Sequence, residues 1–239
     1  MKKQFSVLKK LAAVSVLAAF AAPAMAQQAG DNVVNFGWAH IGLNQSSEPL
    51  TLGGNFKVPG SGAHVSNADT AILQFTHFFT DNIAVTTDLG IPPKFKLSGE
   101  GTLNGLGQLG TATQWSPAVL AKYYFGDANS QFRPYVGAGA AYVWYSNIKL
   151  TSSLTNLLGG GDPNASTSAD LSSSFVPVAN VGAAYNFDKN WSVNFSLSYV
   201  PLDTKADLTT RHSDGSVTHA TTKITLNPLV SVLTVGYKF

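Results

Sequence analysis

The sequence predicts an all-β fold, an eight-stranded antiparallel transmembrane β-barrel, and three observations carry that expectation. Charged residues make up only 12% of the chain, about half of what a soluble domain carries, yet no segment offers the roughly 20 uninterrupted apolar residues that a membrane helix needs. Apolar residues instead recur at every second position in short runs, the pattern by which a membrane barrel conceals its hydrophobicity. The chain also ends in such a run. From Leu229 to Phe239, the residues Leu229, Leu233, Val235, Tyr237 and Phe239 share one face with Ser231, while Thr234, Gly236 and Lys238 share the other. Left as an open edge, this strand would expose unpaired backbone groups that are costly in lipid and adhesive in water, so it is expected to close on the first strand.

The N-terminus supplies the address. Lys2, Lys3, Lys9 and Lys10 precede an apolar run from Leu11 to Ala22, and Ala24-Met25-Ala26 is a small-x-small cleavage pattern, so residues 1–26 are expected to be a secretory signal peptide. Residues 27–239 then form a single barrel domain located in the cell outer membrane. Cleavage removes four lysines and no acid, turning a formal charge of +2 into −2. The basic balance of the precursor therefore argues for no nucleic-acid partner. Cysteine is absent, which excludes thiol chemistry and a disulfide framework and suits a closed barrel.

Taken in order, the strands are joined alternately by long and short connections. The first spans about Val33 to Leu43, with Val34, Phe36 and Trp38 facing lipid and Asn35, Gly37, Ala39, Ile41 and Leu43 facing inward. A long connection, about Asn44 to Ala68, leads to the second strand, Thr70 to Phe79, with Leu73, Phe75 and Phe79 outward and Gln74 and Thr76 inward. After the Thr80-Asp81-Asn82 turn, the third strand runs from Ile83 to about Gly90, setting Ile83, Val85 and Leu89 against Ala84, Thr86 and Asp88. Pro92 and Pro93 end it, since proline cannot donate to a sheet ladder. A Gly-rich connection reaches about Gln114, and the fourth strand, Trp115 to Phe125, is read with Leu120 and Tyr124 outward and Lys122 inward.

The connection Gly126 to Arg133 is short. The fifth strand, Pro134 to about Lys149, alternates Val136, Ala138, Ala140, Tyr142 and Trp144 with Tyr135, Gly137, Gly139, Ala141 and Val143. The third long connection contains Gly159-Gly160-Gly161 and extends to about Asp170; the composition of Ser152 to Ser168 suggests mobility. The sixth strand covers about Ser173 to Phe187, and Asp188-Lys189-Asn190 is its turn. The seventh alternates most cleanly, with Trp191, Val193, Phe195, Leu197 and Tyr199 outward and Ser192, Asn194, Ser196 and Ser198 inward. Aromatic residues at both ends of an aliphatic row are what the two membrane interfaces require, so Trp191, Tyr199, Tyr237 and Phe239 are expected there. A fourth long connection, Pro201 to about His219, precedes the eighth strand, which carries Pro228. Three short turns on the side of both termini and four long loops opposite them are the connections of an outer-membrane barrel, and an immunoglobulin-like sandwich would not alternate its connection lengths so regularly.

Catalytic and metal chemistry find little support. The five histidines lack ligand spacing and no His-Glu-x-x-His occurs, so no metal or other cofactor is expected. His77 belongs to the inner aromatic belt by position, and His212 and His219 share an external loop. Only Glu48 and Glu100 are glutamates, both in loops, and no Ser-His-Asp arrangement can be assembled by position. Gly137-Ala138-Gly139 lacks the third glycine and the helix of a nucleotide fingerprint, so its small residues are read as relieving crowding or letting strands bend. Asp88 and Lys122 are inward charges on neighbouring strands; they either steer a solute or fill an interior too narrow for free water.

Several stretches resemble the OmpW family of outer-membrane barrels, whose alkane-importing relatives are called AlkL. These are Phe75 to Val85 (F-T-H-F-F-T-D-N-I-A-V), Ser116-Pro117, Lys122 to Ala128 (K-Y-Y-F-G-D-A), Phe132 to Tyr142 (F-R-P-Y-V-G-A-G-A-A-Y), Asn190 to Asn194, Asp203-Thr204, Leu226-Asn227-Pro228 and Gly236 to Phe239. The resemblance covers the mature chain in order. It implies a narrow lumen that passes small hydrophobic molecules, with a lateral opening in the wall as one exit, and a terminal Phe239 read by the barrel-assembly machinery. Outer-membrane lipid and lipopolysaccharide are the implied surroundings. Relatives narrow the lumen with bulky apolar side chains at positions that match Asp88 and Ser198 here, so this constriction is expected to be more polar. Ile41, Leu43, Val143, Leu226, Val230 and Val232 keep the upper lumen apolar. The alternative is a plugged barrel whose external loops bind a host surface, phage or colicin.

Overall fold

The computed structural model describes residues 27–239; the expected signal peptide lies outside the described residues. Eight strands form the barrel: β1 (Asn32–Leu43), β2 (Ala68–Phe78), β3 (Ile83–Gly90), β4 (Ala118–Tyr124), β5 (Phe132–Leu150), β6 (Ser174–Asn186), β7 (Trp191–Tyr199) and β8 (Pro228–Lys238). Each pairs antiparallel with its neighbour in this series, and β8 closes on β1 from Val33 opposite Lys238 to Leu43 opposite Pro228. Outward positions form an exposed apolar band that includes Phe36, Leu73, Phe195 and Leu233. Aromatic rings mark its rims. Trp191 meets Tyr237 edge to face at 4.9 Å on the side of the short turns, and Trp115 stacks on Trp144 at 5.6 Å on the other. Tyr199 and Phe239 are exposed as well.

The fourth strand departs from its sequence reading in two ways. Leu120 and Tyr124, expected outward, are buried beside Lys122, because residues two apart on a strand share a face; Val119 and Tyr123 take the lipid side. The strand also begins at Ala118 rather than Trp115. Pro117 has no N–H to continue the ladder, and Trp115 belongs instead to an external strand.

The long connections are folded. The upper part of β5 leaves the barrel and pairs with Gln108–Trp115, which is followed by Lys94–Gly101 and Ser61–Val65. A second external sheet holds the hairpin Asp203–Arg211 and Val217–Thr225, flanked by Ser166–Leu171 and by short strands from the first loop. The stretch expected to be mobile, Ser152 to Ser168, contains a helix, α1 (Ser152–Leu158), and the start of a strand. Its overall composition is polar, but Leu154 is buried in the apolar core that the two external sheets share with Leu50, Phe95, Leu103, Leu208 and Ile224.

Candidate functional site: the lumen and its openings

The lumen is layered. At the turn side Arg133 is fully buried: its guanidinium donates to the carbonyls of Gln27 (3.0 Å) and Asp81 (2.6 Å) and lies over the Tyr124 ring at 5.3 Å. Val33, Phe78, Tyr124, Tyr135, Ala84 and Ala184 pack here as one apolar cluster. The side chain of Tyr135 fits because Gly182 opposite it has none; a Cβ there would come within 2.6 Å of the phenol. Next comes a polar belt of hydrogen-bonded side chains. Asn194 donates to Asn35 (2.9 Å), Thr76 meets Thr86 (2.9 Å), Asn180 donates to Ser198 (2.9 Å) and Gln74 donates to Asp88 (2.8 Å). These two layers form a floor in which side chains replace water.

Above the floor the lumen opens into a cavity of about 420 Å³ lined by Ile41, Ile72, Val143, Val230 and Val232, with Asp88 and Ser198 at its base. A second space of about 120 Å³ lies between the external sheets and is lined largely by apolar residues, including Leu43, Phe95, Leu109, Leu150 and Leu226. The two meet at Gln114, and successive inward positions of β1, Ile41 then Leu43, serve one and then the other.

The larger cavity also reaches the barrel wall. The β3–β4 ladder stops at Asp88 opposite Ala118. Beyond that pair each flank bonds away from the seam: Ile91 N–H donates to the Ala71 carbonyl of β2, and the Pro117 carbonyl accepts from Tyr142 of β5. Pro92, Pro93 and Pro117 offer no N–H across the gap. Gln114 N–H rejoins the Pro93 carbonyl at 3.1 Å above it. Leu89, Ile91, Trp115 and Pro117 line the cavity at this point, and the first three are also exposed on the outer surface.

A family model described as the OmpW family matches residues 28–239. The chain belongs to the OmpW family. It is similar to Outer membrane protein W of Vibrio cholerae, 33% identical over 242 residues spanning all of both chains. It is also similar to the dibenzothiophene metabolism operon protein PahQ of Pseudomonas aeruginosa, 30% identical over 183 residues and 77% of each chain. The crystal structure of the outer membrane protein OprG from Pseudomonas aeruginosa matches with a TM-score of 0.79 at 28% identity, covering 90% of this chain and 99% of that one. The protein is thus a small outer-membrane β-barrel.

Within this OmpW-family barrel the residues singled out from the sequence separate by height. Asp88, Ser198, Ile41, Val143 and Val230 line the lumen cavity, whereas Leu43 and Leu226 line the external space. Lys122 makes no direct ion pair with Asp88. Asp88 opposes Ala118 and Lys122 opposes Ala84, four residues or about 13 Å along the strand, so Lys122 lies in the floor with its ammonium over the Tyr135 ring at 4.9 Å. His77 sits beside Phe79 in the inner belt, bonded to Asn32. His212 and His219 contact Thr218 and Thr209 in the second external sheet, and no group of three metal-ligating side chains occurs among the described residues. Arg133, at the end of the short connection expected from the sequence, belongs to β5. Extending the alternation of Tyr135 back across Pro134 would have turned it inward.

Proposed function

We propose that the protein is a passive, narrow channel that carries small, mainly hydrophobic molecules across the outer membrane, and that it is a conduit rather than an enzyme. The observation that carries this reading is the apolar space above a closed floor, with the interrupted β3–β4 ladder beside it. A solute entering between the external sheets would pass Leu43 and Leu226, reach the cavity above Asp88 and Ser198, and leave sideways between β3 and β4 into the bilayer. The floor opposes a straight aqueous path, because opening it would strip buried polar groups of their partners. The wall opening presents Leu89, Ile91 and Trp115, which cost an apolar solute nothing to touch. The relative whose name refers to dibenzothiophene metabolism points to the same solute class, as does the resemblance to alkane importers.

The experiment is uptake of a small apolar probe into proteoliposomes containing wild type, Asp88→Leu or Ser198→Trp. Wild type is expected to exceed empty liposomes, Asp88→Leu to match or exceed wild type, and Ser198→Trp to slow uptake several-fold by filling the base of the cavity. Equal rates in all samples and empty liposomes overturn the channel reading. The closed floor would then favour the plugged barrel whose external strands bind a partner, and deletion of the Gly53 to Lys57 tip, where Phe56 is exposed, would test that.

A further inference from the structure

The external sheet beside the wall opening carries a feature that the lumen does not use. Lys94 and Lys96 stand two residues apart on the strand Lys94–Gly101, and Lys149 lies near the top of β5. The register gathers them on one face: Lys96 opposes Thr111, Thr111 opposes Lys149, and Lys94 opposes Thr113. About 7 Å separates Lys94 from Lys96 along the strand, and about 10 Å separates Lys96 from Lys149 across two strands. Phe95 and Leu150 pack into the core on the opposite face, which leaves all three lysines exposed on the outside.

Two further observations make this patch unlike the rest of the surface. Residues 91–99, 108–117 and 142–151, which form the patch, contain no carboxylate, the one acid of the strand, Glu100 at its far end, is paired with His64, and none of the three lysines has an ion-pair partner among the described residues. Lys223 and Lys238, in contrast, are paired with Asp203 and Asp31, and the second external sheet mixes Asp170, Asp203 and Asp207 with its cations. The patch also has a fixed height. Thr113 is two residues, and Thr111 four, beyond Trp115, whose stack with Trp144 marks the rim of the lipid band. The lysine rows therefore stand about 7 and 13 Å beyond the indoles along the strand, and interfacial aromatic rings sit at the headgroup level. Three unpaired like charges repel one another unless a multivalent anion lies among them.

We propose that Lys94, Lys96 and Lys149 form a binding site for the phosphate groups of an anionic glycolipid of the surrounding leaflet, whose acyl chains then lie against Trp115 and Trp144 at the edge of the wall opening. The site is independent of what crosses the lumen. Its test is titration of the purified barrel with bisphosphorylated lipid A, with the same lipid dephosphorylated, and with inorganic phosphate, followed by native mass spectrometry and indole fluorescence. Wild type is expected to bind the phosphorylated lipid at least ten-fold more tightly than the dephosphorylated one. The triple variant Lys94→Gln, Lys96→Gln, Lys149→Gln loses that preference, Lys96→Gln alone reduces it several-fold, and Lys205→Gln on the other sheet keeps it; the gel mobility of unheated samples reports that each barrel is folded. A triple variant that binds like wild type, a wild type that ignores the phosphates, or displacement of the lipid by an equal concentration of inorganic phosphate overturns the proposal.

Discussion

Arg133 is a charge held away from solvent by two carbonyls and an aromatic face. Replacing it with Met keeps most of the volume but leaves the Gln27 and Asp81 carbonyls without their charged donor. The expected cost is about 2–4 kcal/mol, read from urea unfolding in lipid, and Arg133→Lys should recover only part of it, since an ammonium lacks the guanidinium fork. Gly182→Val tests the neighbouring contact. Its side chain would strike Tyr135 and the Phe195 carbonyl, so a loss of about 1–3 kcal/mol or failure to assemble is expected in the same measurement. At this scale the sequence was legible wherever alternation ran unbroken: Asp88, Ser198, Ile41 and Val143 face inward as expected. It is not legible across Pro134, whose missing N–H hides that Arg133 continues the inward row. Leu120 and Tyr124 follow the period of Lys122 rather than their own hydrophobicity, because the interior of this barrel takes apolar side chains.

The interrupted β3–β4 seam is a property of elements, made by prolines on both flanks. Pro117→Val would return an N–H to the start of β4 and favour continued pairing above Ala118. Uptake of an apolar probe is expected to fall several-fold while unfolding stability stays unchanged or rises; unaltered flux would argue against exit through the wall. The second external sheet has its own handle in Asp203, held below the ordinary aspartate value of 3.8 by its bonds to Lys223 and Thr225. A depressed carboxylate stabilises the fold above its unfolded value, and that contribution is lost as pH falls through the lower, folded value. The protection factors of amides in Asp203–Arg211, exchange corrected for its intrinsic pH dependence, are therefore expected to be constant from pH 8 to about 5 and to fall only below about pH 4. The eight barrel strands were readable because lipid outside and lumen inside impose strict alternation. The external strands were not, because Gly, Ser and Thr segments reveal their pairing only when distant partners such as Lys96 and Thr111, or Ala169 and Leu208, are brought together.

For the molecule as a whole, the arrangement is a cup: closed at the turn side, open to the exterior between two sheets, and breached in its wall between β3 and β4. The family and the barrel could be argued from residues, whereas the breach follows from which neighbour each carbonyl chooses, and no local pattern records that. The join between β1 and β8 has a further consequence. Its partners are almost 200 residues apart in the chain, and the last residue takes part, since the Phe239 N–H donates to the carbonyl of Asn32. Until β8 meets β1 the sheet carries two raw strand edges, each a template for pairing with a neighbour. The seam that seals the wall joins the strands farthest apart in sequence, so a nascent barrel stays adhesive until β8 is in place.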